Sequence, residues 1–110
     1  MTYERLEYTT GDQSLRVDFV FMYLGLIKGW RIYIINDIDY TRHGHRDTSG
    51  HATHRNHFSN DTYNSICWDG KISKIEKAKA VASLWADATA LYIKFGGRFD
   101  DHASRLINQK

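Results

Sequence analysis

Hydrophobic and polar positions alternate along two segments in the first third of the chain. Between positions 15 and 22, one face is uniformly apolar, with Leu15, Val17, Phe19 and Phe21, and the other face is mixed, with Arg16, Asp18, Val20 and Met22. Trp30 to Ile38 has the same period of two, with Ile32 and Ile34 on one face. Such alternation is typical of strands that bury one face, so both segments are predicted to be strands, with Arg31 on the solvent face of the second.

Weaker signals add one strand before and one after these two. Arg5 to Thr9 and Tyr63 to Trp68 each have the composition of a short strand. Asp69-Gly70 is a turn sequence that often closes a hairpin. Between these strands, positions 41 to 62 lose all apolar periodicity and are predicted to form a long loop.

The strongest single prediction is a helix from Ser73 to about Phe95. Ser73 and Glu76 have the spacing of a capping box, and Gly96-Gly97 provides a stop. Its apolar stripe is expected to be buried, and its residues recur at helical spacing: Ala78, Val81, Trp85, Ala88, Tyr92 and Phe95. A second short helix is predicted from Asp100 or Asp101 to about Ile107.

Together these elements predict one α+β domain over residues 1–110, with an antiparallel sheet packed by one long C-terminal helix plus a short second helix. The chain has 110 residues, of which 42% are hydrophobic, a size and composition suited to a single core. Cys67, the one cysteine, excludes an intrachain disulfide and is expected to be a small buried core residue. No apolar stretch approaches the ~20 residues of a membrane span, and we expect a cytoplasmic protein that uses no membrane.

Charge is concentrated in the predicted loop rather than in the chain as a whole. The formal net charge is only +2, but positions 41 to 62 hold five of the six histidines together with Arg42, Arg46 and Arg55. Imidazoles are common ligands of transition metals. However, the spacings match no established metal motif and few carboxylates are near, so no metal or other cofactor is predicted.

Anion binding is the function that this composition favours. Guanidinium groups bind phosphates in a bidentate manner, and aromatic rings stack on bases. Asp87 and Thr89 are also candidates, because Asp has poor helix propensity and both lie in the middle of a strong helix. The predicted ligand-binding residues are Arg31, Arg42, His51, His54, Arg55, Asp87, Thr89, Arg98 and Arg105.

Catalysis is the alternative use of the same side chains. A histidine beside arginine and tyrosine can act as a general acid or base on RNA, which describes a small His-dependent RNase. His51-Ala-Thr53 is similar to half of the paired motif of two-histidine phosphoesterases, and His54-Arg-Asn-His57 is similar to part of an HNH nuclease motif. Neither motif is complete, so no catalytic residue is predicted and the chain is expected not to be an enzyme.

The order of short motifs along the chain resembles that of small phage or prophage proteins. These motifs are Arg-Ile-Tyr-Ile-Ile from Arg31, His-Ala-Thr-His-Arg from His51, Ile-Cys-Trp-Asp from Ile66 and Ala-Lys-Ala-Val-Ala-Ser-Leu-Trp-Ala-Asp from Ala78. The layout is similar to that of phage sponge proteins that counter the Thoeris system by sequestering cyclic nucleotide signals. Anti-CRISPR proteins, which inhibit host defence complexes, have a similar size.

The resemblance implies a phage-type binding protein that sequesters a nucleotide-like signalling molecule in the host cytoplasm. The alternatives are an anti-CRISPR-like inhibitor of a host defence protein and the small RNase. We also expect a homo-oligomer, because one small sheet can hardly cover both the Trp85 stripe of the long helix and its Leu84 and Leu91 flank.

Overall fold

A computed structural model describes residues 3–109 and shows an α+β fold, as the alternation and the helical stripe predict. A five-stranded antiparallel sheet in the order β1-β2-β3-β5-β4 packs against helices. Residues 1, 2 and 110 of the predicted domain lie outside the described part. The elements are β1 (Tyr3–Thr9), β2 (Arg16–Tyr23), β3 (Trp30–Ile34), α1 (Gly50–Thr53), β4 (Arg55–Asn56), β5 (Asn64–Ile66), α2 (Ile75–Phe95) and α3 (Phe99–Asn108).

The alternating segment of β2 forms the centre of the core. Val17, Phe19 and Phe21 are fully buried, which confirms the predicted face. Phe19 meets the edge of Trp85 with ring centroids 6.2 Å apart, which packs the sheet directly against α2. On β3, Ile32 and Ile34 are buried on the same side, so the two strands share one apolar face.

The strand β3 ends at Ile34 and not at Ile38 as predicted. The side-chain amide of Asn36 accepts a hydrogen bond from the backbone N–H of Asp18 at 2.8 Å and donates to the carbonyl of Arg16 at 3.0 Å. These bonds occupy the β2 backbone groups that a longer β3 would need for its ladder. A side chain therefore ends the strand where the apolar pattern continues.

Helix α2 begins at Ile75 rather than at Ser73, and the predicted capping box does not form. Lys74 is the N-cap and makes no side-chain capping bond. The carbonyl of Ile72 accepts from the N–H of Trp30 at 2.8 Å, and Ile72 forms a parallel bridge with Gly29. This pairing keeps the chain extended just before Ser73. Asp69-Gly70 consequently turns the chain toward Gly29 and closes no hairpin.

The predicted stripe of α2 is buried over most of its length. Trp85 is only 3% exposed, and the buried set includes Ala78, Val81, Ala88 and Tyr92. Phe95, the last residue of the predicted stripe, is instead 71% exposed. The second helix starts at Phe99, earlier than predicted, and buries Phe99 and His102. Within residues 3–109, no helix combines the length and the apolar composition that crossing a bilayer requires.

Two local predictions are wrong. The segment 41–62 is not loop throughout, because it contains the short helix α1 and the strand β4. Cys67 is exposed rather than buried. The strand β5 ends at Ile66, whose side chain is buried, and the next residues, Cys67 and Trp68, lie at the surface.

Candidate functional site

The site lies where the segment 45–54 meets the junction of α2 and α3. Arg46 links this segment to the end of α2 by two hydrogen bonds. Its Nε donates to the carbonyl of Tyr92 at 2.9 Å, and its Nη2 donates to the carbonyl of Lys94 at 3.2 Å. A cation at a helix C-terminus satisfies free carbonyls and interacts favourably with the helix dipole. Tyr92 adds a second tie by donating its hydroxyl hydrogen to the carbonyl of Asp47 at 2.8 Å.

Helix α1 and its caps fix the position of His54. Ser49 caps the helix by accepting from the N–H of Ala52 at 3.3 Å. His54 ends the helix in the left-handed region, at φ 54° and ψ 47°, and its N–H donates to the carbonyl of Gly50. This conformation is uncommon for residues other than glycine, although histidine adopts it more often than most. It marks a position where local geometry is constrained.

The imidazole of His54 is held between an aromatic ring and a carboxylate. It stacks on Phe99 with centroids 4.5 Å apart and planes inclined by 23°. Its Nε2 lies 2.9 Å from Oδ1 of Asp100. A carboxylate only accepts hydrogen bonds, so Nε2 carries a hydrogen, and Nδ1 donates when the ring is protonated and accepts when the ring is neutral. The pair therefore sets both the orientation and the tautomer of His54.

The junction that carries Phe99 and Asp100 is itself well anchored. Gly96 adopts φ 69°, which reverses the chain after α2, and its carbonyl accepts from Nε2 of the buried His102 at 2.8 Å. This bond ties α3 back to the end of α2. The first turn of α3 is thus fixed next to the segment that holds His54.

A polar cleft of about 250 Å³ opens beside His54. It brings together three of the predicted ligand residues, His51, His54 and Arg98. Arg98 is largely exposed, and its Nη2 lies 3.8 Å from Oδ2 of Asp100. The remaining lining residues were not predicted as ligand residues: Asp47, Ala52, Tyr92, Gly97, Phe99 and Asp100.

The cleft contains both signs of charge. Hydrogen bonds from the backbone N–H and the hydroxyl of Ser49 lower the pKa of Asp47, so this carboxylate is ionised at neutral pH. Asp100 is committed to His54 and Arg98. An anion that enters the cleft would therefore meet Arg98 as a donor and, when their rings are protonated, the imidazoles of His51 and His54, while Asp47 and Asp100 restrict where it can lie.

Three of the cleft residues also line a second, adjoining cavity. This cavity has a volume of about 280 Å³ and shares His54, Phe99 and Asp100 with the polar cleft. Its other walls are mostly apolar or aromatic: Ile66, Cys67, Trp68, Asp69, Val81, Leu84, Trp85, Ala103, Ser104 and Ile107. The two cavities thus adjoin at the His54–Asp100 pair.

Arg55 lines neither cavity and supports the site through contacts within the chain. Its guanidinium lies 4.8 Å from the ring centroid of Tyr40, and it donates from Nε to Thr53 Oγ1 at 2.9 Å and from Nη2 to the carbonyl of Thr48 at 3.0 Å. Tyr40 is buried, and this burial raises its pKa to about 12 despite the nearby guanidinium. Arg55 thereby holds the segment that carries His54.

Three other predicted arginines lie elsewhere. Arg31 stacks on Phe58, with 4.2 Å between Cζ and the ring centroid, and lies 3.6 Å from Oδ2 of Asp61. Arg42 donates to the carbonyl of Ser14 at 2.9 Å, beside the turn between β1 and β2. Arg105 is exposed on α3 and lines neither cavity.

The two polar candidates on α2 have structural partners or lie in the interior. Asp87 accepts from the Tyr8 hydroxyl at 3.0 Å and from the N–H of Gly11 at 3.0 Å, which ties β1 and its turn to α2. Burial and this carboxylate raise the pKa of Tyr8 to about 12. Thr89 is fully buried, and its Oγ1 has no hydrogen-bond partner among the described residues.

Two of the residues that sequence reasoning missed come from the α2–α3 junction. Phe99 and Asp100 follow the Gly96-Gly97 stop after one residue, Arg98, and an aromatic residue and an acid just after such a stop are the signal that could have marked them. Of the histidines of the segment 41–62, His51 and His54 share the cleft, and the other three line neither cavity. Across residues 3–109, no three His, Cys, Asp or Glu side chains come together as a metal site.

Fold alone does not define function, so the roles of His54, Arg98 and Trp68 are inferred from the contacts that these residues make within the chain. No relative provides a residue role that could be carried over to them. Comparisons with protein-family models, with curated proteins and with solved structures find no match for this sequence.

Proposed function

We propose that this chain is a non-enzymatic binding protein that captures a nucleotide-like anion in the polar cleft. The observation that carries the proposal is the fixed His54 imidazole, which shares a cleft of about 250 Å³ with His51 and Arg98. A guanidinium and two imidazoles that donate when protonated suit a phosphate group, which accepts several charge-assisted hydrogen bonds at once.

Of the three arginines near the cleft, Arg46 and Arg55 have structural roles, and Arg98 is available to a ligand. Arg55 and Arg46 are occupied by contacts within the chain, so they position the cleft instead of lining it with charge. Arg98, by contrast, is exposed and can turn toward a ligand. A prearranged site loses less conformational entropy on binding than a flexible loop would.

The biological role that we propose follows from the resemblance to phage sponge proteins. A protein that holds a nucleotide-like signalling molecule without changing it would block host immune signalling by mass action in the host cytoplasm. Such a protein needs a high affinity for the signalling molecule and must not cleave it. It also needs to be abundant, or oligomeric with several sites, which agrees with the expected self-association.

A small His-dependent RNase is the second candidate, and the His54–Asp100 pair favours it. A carboxylate that bonds one ring nitrogen leaves the other free to accept a proton, which is the arrangement of a general base. The protein would then cleave a phosphodiester that enters the same cleft. Capture and cleavage share the site but differ in the fate of the ligand.

An inhibitor of a host defence protein is the third candidate. A groove of about 590 Å³ runs along α2 and α3, with Trp68, Leu84 and Ile107 among its apolar lining residues. An apolar groove of this kind suits a protein surface. If the chain acts this way, binding of a partner would depend on the groove and not on Arg98.

One experiment separates the three candidates. The protein is incubated with RNA, cyclic di- and trinucleotides and cyclic ADP-ribose isomers, and the mixture is analysed before and after heat denaturation. Capture predicts that an intact nucleotide is released only on heating. Cleavage predicts product in the unheated sample, and the absence of both outcomes would contradict the proposal.

Variants then locate the binding. Arg98→Gln and His54→Gln should each reduce nucleotide affinity by about tenfold or more, because Arg98 is a charge-assisted donor and His54 is one when its ring is protonated. Arg5→Gln is the matched control, since Arg5 is exposed on β1 and lines neither cavity. Equal losses in all three variants would indicate unspecific attraction by net charge and would count against this cleft.

A further inference from the structure

The apolar cavity that adjoins the polar cleft at His54 has the features of a second half of the same site. It has a volume of about 280 Å³, close to that of the polar cleft, and the two share His54, Phe99 and Asp100. Small-molecule sites usually occupy about 300–1,000 Å³ and combine apolar walls with a few polar groups. Neither cavity reaches this size alone, but the two together do.

Trp68 lines this cavity and is unusually exposed for a tryptophan. Its side chain is 40% exposed, although a tryptophan in a domain of this size has ample opportunity to be buried. Of the other two tryptophans, Trp85 is buried, and its Nε1 donates to the carbonyl of Thr53 at 3.1 Å. Trp30 packs on Tyr23 with centroids 5.3 Å apart. Both therefore have structural partners, whereas Trp68 faces an open cavity.

The backbone beside Trp68 is fixed relative to His54. The N–H of Cys67 donates to the carbonyl of His54 at 2.8 Å, which extends the pairing of β4 with β5 by one residue. Trp68 and His54 are thus held on neighbouring chain segments. Lys77 lies 5.9 Å from the centroid of the Trp68 ring, a distance that fits a weak cation–π contact.

We propose that the apolar cavity is a base subsite in which a nucleobase stacks against Trp68 while the phosphate of the same ligand lies in the polar cleft. A base is planar and apolar on its faces, so it suits an exposed indole, and its polar edge can meet Asp69, Ser104 or Asp100 at the cavity rim. The ligand class is then a nucleoside phosphate and not a simple sugar phosphate. This inference rests on the proposed function, because it takes the polar cleft as the phosphate site.

The test compares three probes by isothermal titration calorimetry: adenosine 5′-monophosphate, ribose 5-phosphate and adenosine. The wild-type protein should bind the mononucleotide at least about tenfold more tightly than ribose 5-phosphate, since a stacked base generally adds this much affinity. Trp68→Ala should reduce that advantage to about twofold or less and should leave ribose 5-phosphate binding unchanged. Trp68→Phe, which retains a ring, should keep most of the advantage.

The outcomes separate the subsite from the proposed function. If ribose 5-phosphate and the mononucleotide bind equally well, or if Trp68→Ala weakens both by the same factor, the base subsite is wrong while the phosphate cleft stands. If adenosine binds in a Trp68-dependent manner and ribose 5-phosphate does not bind, the base subsite stands and the phosphate cleft is wrong. If none of the three probes binds, both are overturned. Thermal melting of each variant shows that it is folded.

Discussion

Helix α2 and the segment 41–62 differ in what determines their structure. The helix follows from its own sequence, because the spacing of Val81, Trp85 and Ala88 buries one stripe against the sheet. The segment 41–62 has no such periodicity, and its form depends on bonds to distant parts of the chain, such as those of Arg46 to the end of α2. A pattern in the sequence reveals the first kind of structure and not the second.

The two regions meet at Trp85, so its loss should have the largest effect. Trp85→Ala should lower the free energy of unfolding by about 3–5 kcal/mol, because it removes a large core ring that packs on Phe19. It also removes the donor to the Thr53 carbonyl and so frees the segment that carries His54. Urea denaturation measures the change. Trp85→Phe is the control that keeps most of the packing but removes the hydrogen bond to Thr53. If Trp85→Phe lowered the free energy of unfolding as much as Trp85→Ala, the hydrogen bond and not the packing would be the dominant contribution.

Arg46 tests the segment without disturbing the core of the helix. Arg46→Ala should cost about 1–2 kcal/mol of stability, because the carbonyls of Tyr92 and Lys94 lose a charged donor. The rate of backbone amide hydrogen exchange should rise mainly in residues 45–54. Arg42→Ala is the comparison, since Arg42 bonds only the Ser14 carbonyl, and we expect a smaller change in stability there. If amide hydrogen exchange in Arg46→Ala became faster by the same factor over the whole chain, a local role for Arg46 would be contradicted.

The smallest expected effect concerns alkaline pH. Burial, together with the Asp87 carboxylate, raises the pKa of Tyr8 to about 12 in the folded protein, and burial raises the pKa of Tyr40 to about 12. A raised pKa means that the folded state holds the proton more tightly, so this contribution to stability is full below about pH 10 and is lost as the pH rises toward 12. Thermal melting between pH 9 and 12 should show the decline, and Tyr8→Phe should make it less steep. An unchanged pH profile in that variant would contradict the assignment to Tyr8.

The sequence predicted the fold class, the buried face of β2 and most of the stripe of α2 because those features follow from local periodicity. It misplaced the end of β3 and the start of α2, where the amide of Asn36 and the pairing of Ile72 with Trp30 override the local pattern. Neither effect can be seen without the tertiary structure. Cys67 was expected in the core because it follows an apolar residue, although the strand ends just before it.

The candidate site was predicted only in part, for a related reason. The charge of the segment 41–62 indicates an anion site, and His51, His54 and Arg98 do line one cleft. Composition does not reveal that Arg55 is engaged by Tyr40 and Thr53, or that Arg42 and Arg31 contact residues in other loops. Which charges remain free for a ligand is decided by long-range contacts.

The measurement that tests the central claim most directly is a titration with adenosine 5′-monophosphate followed by the histidine ring signals in the NMR spectrum, each assigned by substitution. The ring signals of His51 and His54, which line the polar cleft, should shift together and saturate with one affinity, while those of His43, His45 and His57, which line neither cavity, should stay in place. Arg98→Gln should weaken the response at both cleft histidines. Shifts that involve all five rings equally, or none of them, would contradict a nucleotide site at His54.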